Sequence, residues 1–122
     1  MGRVKAVIDS DILIDYLQGD KRAAAEIGRY DTLLYSVISW MEVMSGAETA
    51  QDEAAAQDLF GSMEMVDLSA AVARKAVEAR KKHRLKLPDA IIWATADSEG
   101  CILVSRNSRD FKKSHPMVRI PY

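Results

Sequence analysis

Acidic side chains recur at four points of the sequence where a parallel sheet would gather them. Asp9 directly follows the first apolar run, and Asp110 comes shortly after the apolar run Cys101–Val104. Glu42 lies on a mostly apolar helical segment, and Asp89 lies in the first turn of another such segment. Ligands of open α/β sheets bind outside the carboxyl ends of the strands, so these four acids are candidate site residues.

Carboxylates gathered in one place indicate a particular chemistry. They repel one another unless divalent cations neutralise the charge. Oxygen ligands suit Mg²⁺ or Mn²⁺, and such ions activate a water and stabilise both oxygens of an in-line displacement at phosphorus. The residues therefore indicate a metal-dependent phosphodiesterase, with Mg²⁺ or Mn²⁺ as its cofactor.

Each acid also has a simpler structural explanation. Asp9, Ser10 or Asp11 would cap the helix that follows the first strand. Asp89 would complement the dipole at a helix N-terminus. Glu42 lies on a narrow polar stripe of an apolar helix, where an unpaired charge is costly unless it meets a metal or a cation. If that stripe faces water, Glu42 is an ordinary exposed glutamate.

The elements that must position these residues alternate along the chain. Apolar runs rich in β-branched residues predict strands at about 4–8, 33–37, 64–68 and 101–104, with an edge strand at 117–120. Helical periodicity and end signals predict helices at about 12–19, 21–28, 39–46, 50–60, 69–82 and 87–97. A strand, an acidic turn and a helix thus open the chain, and the first acid lies at that turn.

Length and composition limit the possible classes of protein. A chain of 122 residues with 48% hydrophobic and 29% charged residues is typical of one globular domain. No apolar run reaches the roughly 18 residues of a membrane span, and no signal-peptide core follows residues 1–3, so we expect a cytoplasmic protein with no membrane partner. The single cysteine, Cys101, lies in an apolar run and excludes an internal disulfide framework.

Charge is distributed unevenly along the chain. Residues 1–73 hold 5 Lys/Arg against 13 Asp/Glu, a net charge of −8, whereas residues 74–122 hold 12 against 5, a net charge of +7. This division allows an acidic pocket to lie beside a basic rim, which suits a metal ion together with a phosphate backbone. Five of the cations cluster near the end of one predicted helix, at residues 80–84 and 86, where they would equally complement the helix dipole.

Four segments resemble the PIN-domain family, and most closely the VapC-type toxins of prokaryotic toxin–antitoxin pairs. Val7–Ile14 is similar to the family's first motif, usually an Asp-Thr-Asn turn, and Ser39–Gly46 is similar to its glutamate helix. Leu87–Ala90 resembles the third-acid motif, and Leu103–Asn107 with Asp110–Phe111 resembles the last. The resemblance covers nearly the whole chain, and the four motifs in this order are specific.

The resemblance implies a fold, an activity and a set of metal ligands. The implied fold is α/β, a PIN-like three-layer α/β/α sandwich with a mostly parallel central sheet, in a single domain over residues 1–122. The implied activity is a metal-dependent endoribonuclease in which Asp9, Glu42 and Asp89 hold Mg²⁺ or Mn²⁺ and Asp110 assists catalysis.

Two departures from the family pattern concern residues beside these ligands. Asp11 stands where the family usually has asparagine, so it adds a negative charge. Asn107, in the last motif with Ser105, stands where some members place a fourth acid, which leaves Asp110 as its substitute. Arg106 and Arg109 flank this motif and are the predicted contacts to neighbouring RNA phosphates.

The resemblance also implies partners. Besides RNA, we expect a cognate VapB-like antitoxin that wraps the apolar helices and places a cation beside Asp9 and Glu42. We also expect a homodimer, because a small domain leaves part of its apolar helix surface uncovered. The residues predicted to form that surface are Trp40, Met41, Met44 and Phe60.

Other families share parts of the pattern. The run Asp9-Ser10-Asp11 after a strand also matches the opening of haloacid-dehalogenase-type phosphatases, although those need a downstream lysine and a further acidic motif. Response-regulator receiver domains share the length and the acidic first turn, but Asp67 is a poor candidate for their phosphate acceptor. A catalytically inactive PIN-like binding module is the third alternative, against which the intact set of four acids argues.

Overall fold

The computed structural model describes residues 4–122. Residues 1–3, after which the sequence shows no signal-peptide core, lie outside the described part. Five strands and six helices follow one another as β1 Lys5–Ile8, α1 Ser10–Leu17, α2 Lys21–Ile27, β2 Thr32–Ser36, α3 Val37–Gly46, α4 Ala50–Gly61, β3 Glu64–Val66, α5 Ala70–His83, α6 Leu87–Glu99, β4 Ile102–Val104 and β5 Val118–Arg119. None of the helices formed by the described residues is both long enough and apolar enough to cross a bilayer.

The strands form one sheet in the order β3-β2-β1-β4-β5, and each described pairing is parallel. The predicted α/β sandwich is therefore confirmed, with a sheet that is parallel throughout these strands rather than mostly parallel. β1 lies in the middle, with β2 on one side and β4 on the other, so the strand order reverses there. In such sheets the ligand crevice opens at this reversal point, beyond the carboxyl ends of the strands.

β1 is buried on both faces, as its apolar sequence predicts. Ala6 and Ile8 pack in one apolar core with residues of α1, α3 and α4, whereas Val7 packs in a second core with α5 and α6. Successive side chains of a strand point to opposite faces, which explains how four residues contribute to both cores. These two cores define the three layers and hold the end of β1 in a fixed position.

The ends of the helices near the site follow recognisable signals. Ser36 caps α3 by accepting a hydrogen bond from Ile38 N at 3.1 Å, so this helix starts two residues earlier than predicted. Pro88 lies in the first turn of α6, as predicted, and Gly100 ends that helix in a left-handed conformation. α6 is buried along most of its length, which fixes the position of Asp89 at its start.

Candidate functional site

Asp9 is the most constrained acid of the molecule. It follows β1 directly, its backbone N–H donates to Val104 O of the neighbouring strand, and its side chain is almost fully buried. Oδ1 accepts a 2.7 Å hydrogen bond from Ser10 N, which makes Asp9 the N-cap of α1, and Oδ2 accepts a 2.7 Å bond from Ser105 Oγ. The capping role is therefore real, but it uses only one of the two carboxylate oxygens.

Burial and neighbouring negative charge raise the pKa of Asp9 to about 7. Burial contributes most, because it disfavours the charged form, and the negative charges of Asp11 and Glu42 add to it. The hydrogen bonds from Ser105 and Ser10 act in the opposite direction. Without a cation, the carboxyl group of Asp9 is therefore protonated in a substantial fraction of molecules near pH 7.

Asp11 does not cap α1. Its carboxylate turns toward the end of β4, where it accepts a 3.1 Å hydrogen bond from Arg106 N and a 3.4 Å bond from Ser105 Oγ. Its pKa is raised, chiefly by burial, while the contacts to Arg106 lower it. Asp11 therefore adds a second carboxylate beside Asp9.

Glu42 is exposed, and α3 is less buried than the sequence suggested, with only Ser39 and Val43 fully covered. Glu42 nevertheless lies at the site, because Oε1 accepts a 3.1 Å hydrogen bond from Ser10 Oγ, which also lies 3.3 Å from Asp9 Oδ1. On the same stripe, Ser39 is fully buried, and its Oγ has no hydrogen-bond partner among the described residues. The hydroxyl of Ser10 thus links the acid after β1 to the acid on α3.

Asp89 and Asp110 form a second acidic pair. The pKa of Asp89 is raised, first by burial and then by the negative charges of Asp110 and Glu42, whereas Lys86 lowers it. Asn107 holds Asp110 in place, since Asn107 Nδ2 donates to Asp110 Oδ2 at 2.9 Å and Asp110 N donates to Asn107 Oδ1 at 3.2 Å. Asn107, which departs from the family pattern, therefore positions Asp110, the acid expected to substitute for it.

Aromatic packing sets the position of this pair. Trp93 lies one turn after Asp89 on α6, and Phe111 follows Asp110 directly. Their rings stack with centroids 6.2 Å apart and an interplanar angle of 24°, and Phe111 is completely buried. The stack therefore joins the start of α6 to the segment after β4 and brings the two carboxylates together.

The two predicted RNA-binding arginines differ in their surroundings. The guanidinium of Arg106 contacts Asp15 on α1, with Nε to Oδ2 at 2.7 Å and NH2 to Oδ1 at 3.2 Å. The hydroxyl of Tyr122 donates to the same carboxylate at 2.7 Å. Arg109 is exposed, and no described carboxylate pairs with it.

The donor set at the carboxyl ends of the strands consists of oxygens, which suits Mg²⁺ or Mn²⁺. The pKa values of Asp9 and Asp89 are raised first by burial and then by neighbouring negative charge, and a bound cation would offset both effects. Within residues 4–122, no three side chains of His, Cys, Asp or Glu are arranged as a metal-binding group. The acids form two groups, Asp9 with Asp11 and Asp89 with Asp110, and the charge of Glu42 acts on both.

Comparison with known proteins identifies the family. A family model described as PIN domain matches residues 6–114. The chain belongs to the PIN-domain family. A search of curated proteins by sequence gave no match.

Three solved structures illustrate the similarity. A toxin–antitoxin complex from Klebsiella pneumoniae contains a chain with 36% identity and a TM-score of 0.90, covering 96% of this chain and 98% of that one. VapBC2 from Rickettsia felis, bound to a DNA fragment from its promoter, has 16% identity and a TM-score of 0.81 over 95% and 98% of the two chains. VapC20 from Mycobacterium tuberculosis, described as a sarcin-ricin loop cleaving toxin, has 18% identity and a TM-score of 0.61 over 78% and 83%. The last two similarities establish the fold only.

Family membership excludes two of the three alternatives that the sequence left open, and the inactive PIN-like binding module stays open. The PIN-domain prediction is confirmed, and the phosphatase and receiver-domain alternatives are wrong. The structure brings together Asp9, Glu42, Asp89 and Asp110, with Asp11, Ser105 and Asn107 beside them. Their roles in metal binding and catalysis stay predictions.

Three contacts near the site were missed from the sequence, namely Ser10 to Glu42, Arg106 to Asp15 and Tyr122 to Asp15. The sequence pointed to Ser10 only as a possible cap, although its position between two acids was a clue to a bridging role. Asp15 and Tyr122 gave no such clue, because each is an ordinary residue of a helix or a chain end. The contacts of Asp15 with Tyr122 and with Arg106 join residues 91 or more positions apart.

Proposed function

We propose that this protein is a metal-dependent endoribonuclease of the VapC type, which hydrolyses phosphodiester bonds in RNA. The observation that carries the proposal is the meeting of Asp9, Glu42 and the Asp89–Asp110 pair at the reversal point of the sheet. Such a concentration of carboxylates destabilises a protein unless it binds something positively charged. Family membership supports nuclease chemistry as the use of that site.

In this proposal Asp9, Glu42 and Asp89 hold Mg²⁺ or Mn²⁺, and Asp110 assists them. A divalent ion bound there supplies a water of lowered pKa and neutralises charge on the phosphate. Ser10 N donates to Oδ1 of Asp9 and Ser105 Oγ donates to Oδ2, and these two hydrogen bonds fix the orientation of the carboxylate.

The two predicted phosphate contacts are not equally available. Arg109 is exposed and lies beside Asp110, so it can reach a phosphate without giving up a partner. Arg106 has to leave Asp15 first, and the carboxylate it leaves behind is only 14% exposed. Arg109 is therefore the stronger candidate of the pair.

The test of the proposed activity is RNA cleavage by the purified chain, with Mg²⁺ or Mn²⁺ and with excess EDTA. We expect cleavage only with the metal, and we expect Asp9→Asn and Asp89→Asn to abolish it while Asp110→Asn reduces it less. Asp58→Asn, on the exposed surface of α4, is the matched control. Cleavage by Asp9→Asn at the wild-type rate, or undiminished cleavage in EDTA, contradicts the proposal, and a folded wild type without any activity favours the inactive binding module.

We further propose a VapB-like antitoxin as the protein partner. The relative from Klebsiella pneumoniae is part of a toxin–antitoxin complex. This chain has an apolar groove of about 320 Å³ between α1, α3 and α4, lined among others by Ile14, Leu17 and Val43. Val43 directly follows Glu42 on α3, so an Arg or Lys side chain of a segment seated there can pair with Glu42.

Co-expression with the product of the neighbouring reading frame tests the partner. We expect a stable complex with suppressed cleavage. Failure of any neighbouring product to associate contradicts this part of the proposal. A homodimer and a cytoplasmic location are the remaining parts of the proposal, and the dimer is tested below.

A further inference from the structure

The cations near the candidate site fall into two groups according to their partners. On the side of Asp9 and Asp11, each nearby arginine already holds a carboxylate. These pairs are Arg106 with Asp15 at 2.7 Å, Arg22 with Asp20 at 2.9 Å and Arg119 with Glu26 at 2.6 Å. The hydroxyl of Tyr122 joins this group at Asp15, and its ring lies 4.4 Å below the guanidinium of Arg22. Positive charge on this side is therefore already engaged.

On the side of Asp89 and Asp110 the cations have no such partners. Lys86 precedes Asp89 by three residues, and Arg109 directly precedes Asp110. Both are exposed, as is Arg84 on the turn between α5 and α6. None of the three makes a salt bridge within residues 4–122. Positive charge on this side is available to a ligand.

The turn between α5 and α6 also holds an unusual backbone conformation. Arg84 has φ 56° and ψ 42°, and no other non-glycine residue in the described part has a positive φ. A left-handed conformation costs a residue with a side chain about 1–2 kcal/mol, and glycine avoids most of that cost. Arg80 braces the turn by donating to Leu85 O at 2.9 Å. The chain therefore keeps an arginine at a position where glycine fits better, on a turn whose shape is fixed.

We propose that the phosphate backbone of the RNA crosses the turn between α5 and α6 and is held there by Arg84, Lys86 and Arg109, while Arg106 stays on Asp15. This inference rests on the proposed nuclease function. Binding of RNA by Arg84, Lys86 and Arg109 breaks no ion pair, whereas moving Arg106 to a phosphate leaves the mostly buried carboxylate of Asp15 without its cation. The RNA backbone then lies at the Asp89–Asp110 end of the site, where these cations offset the repulsion between the phosphates and the carboxylates.

The test measures how RNA binding depends on salt. A short fluorescent single-stranded RNA of mixed sequence is titrated with the full chain in EDTA, which prevents cleavage, between about 50 and 200 mM KCl. We expect Lys86→Gln and Arg109→Gln each to weaken binding about three- to ten-fold and to reduce the slope of log affinity against log salt by about 0.7. Arg84→Gly should weaken binding in the same way.

Arg74→Gln is the matched control, because Arg74 is also exposed on α5, makes no salt bridge within the described residues and lies ten positions before Arg84. Ten helical residues span about 15 Å, so this variant removes the same charge at a distance. We expect its slope to equal that of the wild type. Circular dichroism establishes that each variant is folded.

Two results overturn the inference. One is an unchanged slope in the double variant Lys86→Gln/Arg109→Gln, and the other is a loss of slope in Arg106→Gln as large as in Lys86→Gln. Cleavage assays with Mg²⁺ separate this failure from failure of the proposed function. If the wild type cleaves RNA and the double variant keeps its slope, only the route of the RNA is wrong; if the wild type neither binds nor cleaves RNA, the proposed function fails as well.

Discussion

At the scale of single residues, the burial of Asp9 at the site lowers the stability of the metal-free protein whenever its carboxyl group is ionised. Its pKa is raised from 3.8 in the unfolded chain to about 7 in the fold, so the native state binds more protons between these two pH values. The free energy of unfolding of the metal-free protein therefore falls as pH rises through this range. The full penalty is present above about pH 7.

Asp9→Asn removes this penalty and therefore changes the pH dependence of stability. At pH 8 without metal, we expect the variant to be more stable than the wild type, because it buries no charge. At about pH 4, where Asp9 is protonated in the fold, the two proteins should differ by less than about 1 kcal/mol, since the carboxylic acid and the amide each offer one carbonyl acceptor and one donor group. Thermal unfolding in EDTA at both pH values measures this, with Asp58→Asn as control. A variant less stable than the wild type at both pH values shows that burial of the charge is not the dominant effect.

Asp11 has a separate effect, on the pH at which cleavage begins. Its negative charge is the second cause of the raised pKa of Asp9. Asp11→Asn keeps an acceptor for Arg106 N and removes that charge, so the pKa of Asp9 should fall. Protons and metal compete for the same carboxylate, so at subsaturating Mg²⁺ the acidic limb of kcat/KM should move to lower pH. Cleavage rates between about pH 5 and 8 test this, and an acidic limb that stays in place contradicts it.

The acids were predictable from the sequence, but most of their partners were not. Asp9, Asp89 and Asp110 follow strand ends or begin a helix, and such positions are visible in a pattern of apolar runs. The bond from Ser105 to Asp9 and that from Arg106 to Asp15 depend on two strands becoming neighbours. Residue spacing carries no information about such contacts unless a known family supplies it.

At the scale of elements, the two helices around the candidate RNA route end in the same conformation with different residues. Arg84 follows the last residue of α5 and Gly100 follows the last residue of α6, and both lie in the left-handed region. Arg84→Gly should therefore raise the free energy of unfolding by about 0.5–1 kcal/mol, and Gly100→Ala should lower it by about 1 kcal/mol. The Cβ added at Gly100 meets no atom within 4 Å, so backbone strain alone determines that loss.

Urea denaturation measures both changes, and the pair acts as its own control because the substitutions have opposite signs. A loss of stability in Arg84→Gly indicates that the arginine side chain stabilises the turn more than its backbone strain costs. If Arg84→Gly is more stable than the wild type and also binds RNA more weakly, the arginine lowers stability and provides a contact to the substrate.

The order and type of the elements could be predicted, but the buried face of a short helix could not. In α2 the sequence favours Ala24 as an inward anchor, yet Ala24 is exposed, whereas Ala23 and Glu26 are buried. Glu26 turns inward because Arg119 of β5 pairs with it and Tyr30 donates to it at 2.6 Å. The ion pair of Glu26 with a residue distant in sequence helps to decide which face of α2 is buried, and apolar periodicity cannot anticipate such a pair.

At the scale of the whole molecule, the uneven distribution of charge along the chain places unpaired cations beside only some of the carboxylates at the site. Two of the five carboxylates at the site, Asp89 and Asp110, come from the basic second half, and they lie beside its unpaired cations. The other three come from the acidic first half, and the carboxylates of that half already pair with Arg22, Arg106 and Arg119. The acidic pocket and basic rim predicted from composition therefore meet at one end of the site.

The apolar surface predicted to mediate dimerisation is smaller than expected. Phe60 is buried and packs against Tyr35 with ring centroids 4.4 Å apart, so it is not available to a partner. Trp40 and Met41, on α3, are 39% and 44% exposed. Exposed apolar side chains next to each other on a helix often mark a contact surface, so we retain the homodimer with these two residues at its centre.

Trp40→Lys tests that dimer. The substitution places a charge in the proposed contact, and burying an unpaired charge costs several kcal/mol, enough to shift a micromolar dimer to monomer. Val77→Lys is the control, because Val77 is 49% exposed on α5 and the substitution adds the same charge. By light scattering at micromolar concentration we expect a dimeric mass for the wild type and for Val77→Lys, and a monomeric mass for Trp40→Lys. A monomeric wild type refutes the dimer, and a dimeric Trp40→Lys variant moves the contact away from α3.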